Sequence, residues 1–191
     1  MFLRPLCERE LWVGVNWNQG LMRWKPHVDG AGKSFPLNHL HPFRFSVELK
    51  RGPAIIAVAF AMHCFTRHVL PEDAPADFYA DHREKRTFCR DRYQHSRILP
   101  GLVRALADNH CRYAKNDNYV VIEVEGCDGV SVEYGVFFNV KRWRGGDPCI
   151  LLTVQSAYVF DPGRPLPGRG KIHFRRLVEL TLDGIRPKPP R

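Results

Sequence analysis

Alternating and continuous runs of apolar residues predict a β-hairpin in the first half of the chain. Residues Phe43–Leu49 alternate apolar with polar side chains, which is the period of a half-buried strand. Residues Ala54–Phe65 read AIIAVAFAMHCF and are apolar on both faces, which indicates a central strand. Because only a short turn separates the two segments, we expect them to pair as a hairpin.

A helical pattern follows a long polar segment. Residues 71–90 contain two prolines and a cluster of charges, which is typical of a surface loop. Residues Arg92–Asn109 then carry apolar side chains at spacings of three and four, and Asp91 is a favourable N-cap. Pro100 and Gly101 lie inside this run and predict a kink or a break into two short helices.

The second half of the chain has the pattern of an antiparallel meander. Four apolar segments are separated by turns: Cys111–Ala114, Tyr119–Glu125, Ser131–Trp143 and Cys149–Phe160. Residues Ile172–Asp183 favour a last helix, although a strand also fits their pattern. The predicted fold class is therefore α+β: an N-terminal β-hairpin, a helix, then a curved antiparallel sheet with the helix on one face and a short C-terminal helix.

The length of the chain bounds its organisation. With 191 residues, one well-packed domain is expected. We expect residues 1–34 to form an N-terminal arm, residues 35–186 a single α+β domain, and residues 187–191 a basic, proline-rich tail. No apolar run approaches the roughly 20 residues that span a bilayer. Six cysteines without Cys-x-x-Cys spacing fit a reducing compartment, so we expect a cytoplasmic protein without a membrane partner.

Positive charge is concentrated at the C-terminal end. Of the net charge of +9, residues 164–191 contribute +6, from six arginines and two lysines against Glu179 and Asp183. Such clustering indicates a nucleic-acid partner. A solvated tail that keeps a basic protein soluble is the alternative.

Alternation along the meander predicts a polar sheet face. We expect the even-numbered residues within Tyr119–Glu125, Ser131–Lys141 and Ile150–Gln155 to meet the helix and the odd-numbered ones to form an open face. That face would hold Glu123, Phe137, Asn139, Lys141 and Gln155. Aromatic rings stack unpaired bases, amides read base edges and cations hold phosphate, so the pattern suits RNA. The competing interpretation is an ordinary solvated face of an antiparallel sheet.

His63 is the candidate acid or base. It lies at the end of a hydrophobic strand, and histidine has an unperturbed pKa near neutrality. RNA cleavage without a metal needs a base for the 2′-hydroxyl proton, an acid for the 5′-oxygen and a cation for the phosphorane charge. We expect His63 and Glu123 to be the acid/base pair, with Arg67, Lys115 or Arg175 as the cation. A histidine that only holds a loop carbonyl is the alternative.

Several other residues are candidates for binding. Tyr93, near the start of the predicted helix, belongs to the candidate catalytic set, and there it either binds phosphate or packs. Lys171 belongs with Arg175 to the basic residues assigned to RNA. A zinc site would need ligands from three separate segments, and their spacing does not support one. The Gly-Lys-Ser sequence at residues 32–34 lacks the spacing of a phosphate-binding loop. We expect neither a metal nor a cofactor.

Four segments carry a resemblance to known proteins. CRDRYQHSRILPGLVRAL, NYVVIEVE, VFFNVKR and LLTVQSAYVFDP, followed by a basic end, resemble poorly characterised bacterial proteins carried on mobile elements. The resemblance covers residues Phe35 to Pro190. The Gln-Ser-Ala-Tyr strand end also resembles the short Ser/Thr-x-Tyr signature that closes the sheet in ribonuclease toxins of the barnase–EndoU–colicin–RelE class.

This resemblance implies a metal-independent endoribonuclease, often a toxin restrained by an antitoxin or immunity protein. Ser156 and Tyr158 match the terminal-strand signature, and Glu123 matches a barnase-like base by its place on the sheet. Two other classes remain open: a nucleic-acid-binding or adaptor protein of a mobile element without catalysis, and a zinc-stabilised structural protein. RNA cleavage, salt-sensitive binding and bound metal distinguish the three.

Overall fold

The computed structural model describes residues 21–114, 119–127, 130–143, 149–161, 163 and 169–189. Its strands and α-helices, in chain order, are β1 His27–Val28, β2 Ser34–Phe35, β3 Phe43–Leu49, β4 Gly52–Phe60, β5 Thr66–Arg67, β6 Phe78–Ala80, β7 Lys85–Phe88, α1 Arg90–Ser96, α2 Leu99–Ala105, β8 His110–Tyr113, β9 Tyr119–Cys127, β10 Val130–Trp143, β11 Cys149–Val159, β12 Arg169–His173 and α3 Phe174–Leu182.

A seven-stranded sheet organises the chain, in the order β12-β8-β9-β10-β11-β4-β3. The predicted α+β class, the β3–β4 hairpin and the antiparallel meander β8 to β11 are confirmed. One pairing was not predicted: β11 lies parallel to β4, with Cys149 opposite Ile55 and Val154 opposite Phe60. The sheet is therefore mostly, not wholly, antiparallel.

The expectation of a surface loop over residues 71–90 is wrong. This segment supplies β6 and β7, which pair with β5 in a three-stranded sheet. Arg86 and Thr87 are buried, and Arg86 Nε donates to the hydroxyl of Thr66 at 3.0 Å. The polar residues of the segment bind one another, so their polarity did not indicate exposure.

The helical region breaks as predicted. α1 ends at Ser96 and α2 starts at Leu99, with Pro100 in the first turn of α2, where its missing N–H is tolerated. The N-cap of α1 is Cys89 and not Asp91, which lies in the first turn. β4 ends at Phe60, so His63 lies in a 3-10 helix of residues Met62–Cys64 and not at a strand end.

The core lies between the sheet and the helices. The predicted C-terminal helix is confirmed as α3, which buries Phe174, Leu177 and Val178. Phe174 packs edge-on against Phe138 of β10. The chain joins this core before residue 35, because Trp24 is buried and its indole N–H donates to the carbonyl of Phe60 at 2.9 Å.

The sheet register corrects the predicted faces in two places. In β9, Tyr119 pairs with Phe138 and Val120 with Phe137, so the two faces of this strand are exchanged relative to the prediction. β11 follows the prediction as far as Val154, which is fully buried. A bulge then shifts the alternation, and Ser156 pairs with Phe137.

None of the helices in the described part of the chain is long and apolar enough to cross a membrane.

Candidate active site

One line of residues crosses five strands on the sheet face opposite the helices. The register pairs Lys171 of β12 with Arg112, Arg112 with Val120, Val120 with Phe137, and Phe137 with Ser156 of β11. Directly paired residues project from the same face of a sheet, so these five form one continuous set, here called the cross-strand row. Lys171 is exposed, Val120 is buried and the others are half-buried.

Most of the sequence-predicted RNA-contacting residues of the sheet share the face of this row. Asn139 and Lys141 lie two and four residues beyond Phe137 on β10, and Tyr158 lies two beyond Ser156 on β11. Side chains at such spacings point to one side of a strand. Gln155 is the extra residue of the bulge between Val154 and Ser156.

Three aromatic rings form a platform beside the row. The rings of Phe137 and Tyr158 are stacked, with centroids 5.4 Å apart and planes 14° from parallel. Phe160 packs edge-on against Tyr158 at 5.4 Å and against Phe137 at 6.2 Å. This arrangement needs Gly135, since Gly135 pairs with Tyr158 and a β-carbon there would meet the ring of Phe160.

Arg92 of α1 connects the aromatic platform with His63. Its guanidinium carbon lies 5.2 Å from the ring centre of Tyr158. Its Nη1 donates to the carbonyl oxygens of His63 and Thr66, each at 3.0 Å. Burial lowers the pKa of Arg92. The guanidinium therefore holds the 3-10 helix of His63 against the end of β11.

His63 has a carboxylate partner in the structure, and that partner is Glu84. His63 Nε2 and Glu84 Oε1 are 2.7 Å apart, with their side chains 37% and 38% exposed. Arg86 Nη1 lies 3.4 Å from the other carboxylate oxygen of Glu84. Burial raises the pKa of Glu84, but the hydrogen bond from His63 and the charge of Arg86 outweigh it and hold this pKa below its ordinary value.

This arrangement supports proton transfer beside a bound anion. A carboxylate on one imidazole nitrogen fixes the tautomer and leaves the other nitrogen to exchange a proton. Arg86 and Arg92 supply two guanidinium groups next to the pair, and Arg92 also contacts Tyr158. The His63–Glu84 pair is partly exposed, so a substrate has access to it.

Three sequence candidates lie elsewhere or are already engaged. Arg67 forms a two-point ion pair with Asp73. Arg175 bonds Asp108 and the carbonyl of Ala107 on the helix-bearing side of the sheet. Tyr93 is buried in the core, where its ring packs with the aromatic side chains of Phe35, Phe88 and His39.

Two further candidates lie outside what the structure describes. Lys115 is outside the described residues, and so is the side chain of Glu123. In the backbone register, Glu123 pairs with Tyr134, a residue of the helix-bearing face, and not with Phe137.

Sequence reasoning missed four residues of the site: Glu84, Arg86, Arg92 and Arg112. Glu84 and Arg86 fell in the segment interpreted as a loop. The alternation of Lys85–Phe88 is too short to have marked a strand. Arg92 belongs to the polar side of a helical pattern, and only the fold brings it to His63.

Metal-binding groups are not assembled in the described part of the chain: its His, Cys, Asp and Glu side chains form no cluster of three or more. Cys64 and Cys111 are buried free thiols, and burial raises the pKa of each to about 12. Both thiols lie beside backbone carbonyls, of Val154 and Ile172 respectively.

The fold and this geometry define an α+β protein with a histidine–carboxylate pair at the end of a partly cationic sheet face. The chain belongs to the YjaZ family, whose sequence model matches residues 26–182. Protein YjaZ of Escherichia coli (strain K12) is 29% identical over 150 residues, which are 73% of this chain and 82% of that protein. No solved structure matches the chain.

Proposed function

We propose that this protein is a metal-independent endoribonuclease whose active site is the His63–Glu84 pair together with Arg92 and Tyr158. One observation carries the proposal: a partly exposed imidazole, 2.7 Å from its carboxylate partner, lies in the 3-10 helix that Arg92 connects to Tyr158 of β11. The backbone of His63 is bonded to Arg92, which packs on the ring of Tyr158, and Tyr158 in turn is stacked with Phe137.

The proposed reaction is transesterification within RNA. His63 removes the proton of a 2′-hydroxyl, whose oxygen attacks the adjacent phosphorus. The bond from phosphorus to the 5′-oxygen breaks, which leaves a 2′,3′-cyclic phosphate, and the leaving oxygen takes a proton from the hydroxyl of Tyr158. Arg92 and Arg86 stabilise the added charge on the phosphorane. Glu84 orients His63 and stabilises its protonated form.

The remaining site residues act in substrate binding. Phe137 stacks on a base, Ser156 hydrogen-bonds the sugar–phosphate backbone, and Asn139 and Gln155 contact base edges. We further propose that the enzyme is a toxin of the cytoplasm, restrained by an antitoxin or immunity protein. Free buried thiols at Cys64 and Cys111 support a reducing compartment.

Incubation of the purified protein with a mixed RNA pool in EDTA tests the proposal. Wild type is expected to shorten the RNA, and His63→Ala to lower the rate by about 10²–10⁴-fold. His68→Ala is the matched control, because His68 is an exposed histidine five residues away. Equal cleavage by wild type and His63→Ala overturns the assignment. Glu123→Gln, measured in parallel, tests the sequence-derived acid/base candidate.

A second candidate function is nucleic-acid binding without catalysis. A groove with a volume of about 440 Å³ lies between the end of β10 and the residues that follow α3. Lys141, Arg142 and Arg186 line it, and all three are exposed. Intact RNA in every lane, together with a gel shift that weakens as salt rises, would favour this function.

A further inference from the structure

The cationic end of the cross-strand row lies at the opposite side of the sheet from His63. Four inter-strand spacings of about 4.8 Å separate Lys171 from Ser156, which is roughly 19 Å. The 3-10 helix of His63 continues the same direction beyond β11, since Cys64 Sγ lies 3.7 Å from the carbonyl oxygen of Val154. The row therefore begins at two cations, crosses an aromatic ring and ends at Ser156 of β11, the strand beside the 3-10 helix of His63.

Arg112, one of the two cations, differs from several other arginines of the described chain. Arg51, Arg67, Arg90 and Arg175 all form ion pairs with aspartates. Arg112 forms no such pair among the described residues, and its Nε is buried without a hydrogen-bond partner. A buried guanidinium N–H without an acceptor is costly, and a bound anion satisfies it or its neighbouring N–H groups. Lys171, directly opposite in the register, adds a second positive charge.

The middle of the row is apolar. Val120 is fully buried, and Phe137 next to it is half-buried and stacked on Tyr158. A ring in this position contacts the flat face of a base, and bases offer that face only when they are unpaired. In a duplex the bases are already stacked on one another, so a duplex would present phosphate to Phe137 and gain no stacking.

We propose that the substrate is a single RNA strand that crosses the sheet along the cross-strand row, with a phosphate held by Arg112 and Lys171 and an unpaired base on Phe137. This inference rests on the proposed function, because it takes His63 as the position of the reacting phosphate. It adds the substrate class, the direction of the strand across the sheet and an anchoring site about 19 Å from Ser156.

Binding measurements with inactive protein test the path of the strand. In a His63→Ala background, oligouridine of about 12 nucleotides is titrated at several salt concentrations. Lys171→Gln and Arg112→Gln are each expected to weaken binding several-fold and to reduce the slope of log K against log salt by about 0.7. Lys50→Gln is the matched control, because it removes one exposed charge at the β3–β4 turn, beside the opposite edge of the sheet.

Blunt-ended duplex RNA of the same length is expected to bind more weakly than the single strand. Either of two results overturns the inference. The first is equal affinity for duplex and single-stranded RNA. The second is a slope of log K against log salt that is the same for Lys171→Gln and Arg112→Gln as for Lys50→Gln. Lys171 is exposed, so its variant is expected to fold even if Arg112→Gln does not.

Cleavage assays separate this inference from the proposed function. A dinucleotide is too short to reach Lys171 from His63, so Lys171→Gln is expected to slow cleavage of the longer strand several-fold more than cleavage of the dinucleotide, each compared with wild type. If Lys171→Gln cleaves both substrates as fast as wild type, the proposed nuclease function stands and the proposed path of the RNA strand is wrong. If RNA binding depends on Lys171 but no RNA is cleaved, the proposed path of the strand stands and the proposed nuclease function is wrong.

Discussion

The ring of Phe160 lies directly over the backbone of Gly135, where a β-carbon would meet its Cζ atom at 2.3 Å. Phe160 is buried and also packs against Phe137 and Tyr158, so it has little room to move. We expect Gly135→Ala to lower the free energy of unfolding by about 1–3 kcal/mol, as overpacking does. Urea denaturation measures the change.

A second substitution shows whether this contact is the cause. Adding Phe160→Leu to Gly135→Ala is expected to recover part of the lost stability, because it removes the ring atoms that the new methyl group meets. If the double variant loses at least as much free energy of unfolding as the two single variants together, the contact with Phe160 is not the reason that glycine is needed at position 135.

Gly101 gives the opposite prediction for the same substitution. It lies exposed within α2, and a β-carbon there would have no atom within 4 Å. Because alanine loses less backbone entropy than glycine in a helix, Gly101→Ala is expected to stabilise the protein by about 0.5–1 kcal/mol. Thermal unfolding beside the wild type measures it, and a lower melting temperature contradicts the structure of α2.

Arg92 is expected to contribute to stability as well as to the site. Arg92→Gln leaves the carbonyls of His63 and Thr66 without their donor, which costs about 1–3 kcal/mol for a partly buried pair of acceptors. Arg51→Gln removes an exposed ion pair with Asp183 and is expected to change stability by less than about 1 kcal/mol. Chemical denaturation of both variants checks the difference, and equal losses refute it.

Glu84→Gln tests the partner of His63 without removing bulk. The amide keeps a hydrogen bond to the imidazole but no longer stabilises its protonated form, so RNA cleavage is expected to fall by at least tenfold. The fold should be retained, because Glu84 is part-exposed. Asp81, which bonds the backbone N–H groups of Arg83 and Glu84, serves as the comparison for a purely structural acid. A variant with wild-type cleavage rates would falsify the assigned pair.

His27 makes the stability of the fold depend on pH. Burial lowers its pKa, despite the nearby charges of Asp77 and Asp29. The unfolded chain therefore binds a proton more readily, and stability falls as the pH drops below about 6.5, the ordinary pKa of histidine. His27→Phe keeps the stacking on Phe88 and is expected to lose less stability between about pH 7 and pH 5.

Unfolding curves at several pH values measure this difference. His68→Gln is the control, since His68 is exposed and its replacement should leave the pH dependence of wild type unchanged. A pH dependence for His27→Phe that equals that of wild type contradicts the role of His27.

Regular patterns in the sequence were enough to predict the meander, the β3–β4 hairpin and the broken helix. Each depends on neighbours in sequence: alternation within a strand, short turns between strands, and Pro100 inside a helical run. The pairing of β11 with β4 has no such signal, because it joins segments almost ninety residues apart.

The site was predicted only in part, for a related reason. Phe137, Asn139, Lys141, Ser156, Tyr158 and Lys171 do share a sheet face. Periodicity did not assign Ser156 and Tyr158 to a face, because the two predicted sets of β11 end at Val154 and Gln155 and a bulge leaves no mark in the hydrophobic pattern. The partner of His63 was missed because Glu84 lies in a charged segment whose ion pairs form only in the folded protein.

The parallel pairing of β11 with β4 also determines the order in which the protein can be completed on the ribosome. β3 and β4 emerge early, but the inner edge of β4 has no strand beside it until residues 149–154 have been translated. An apolar strand edge that stays unpaired during synthesis is a site for association between nascent chains. Premature termination between Phe60 and Cys149 therefore yields a fragment in which this edge of β4 is unpaired and prone to association, so the last quarter of the coding sequence completes an edge that is made in its first third.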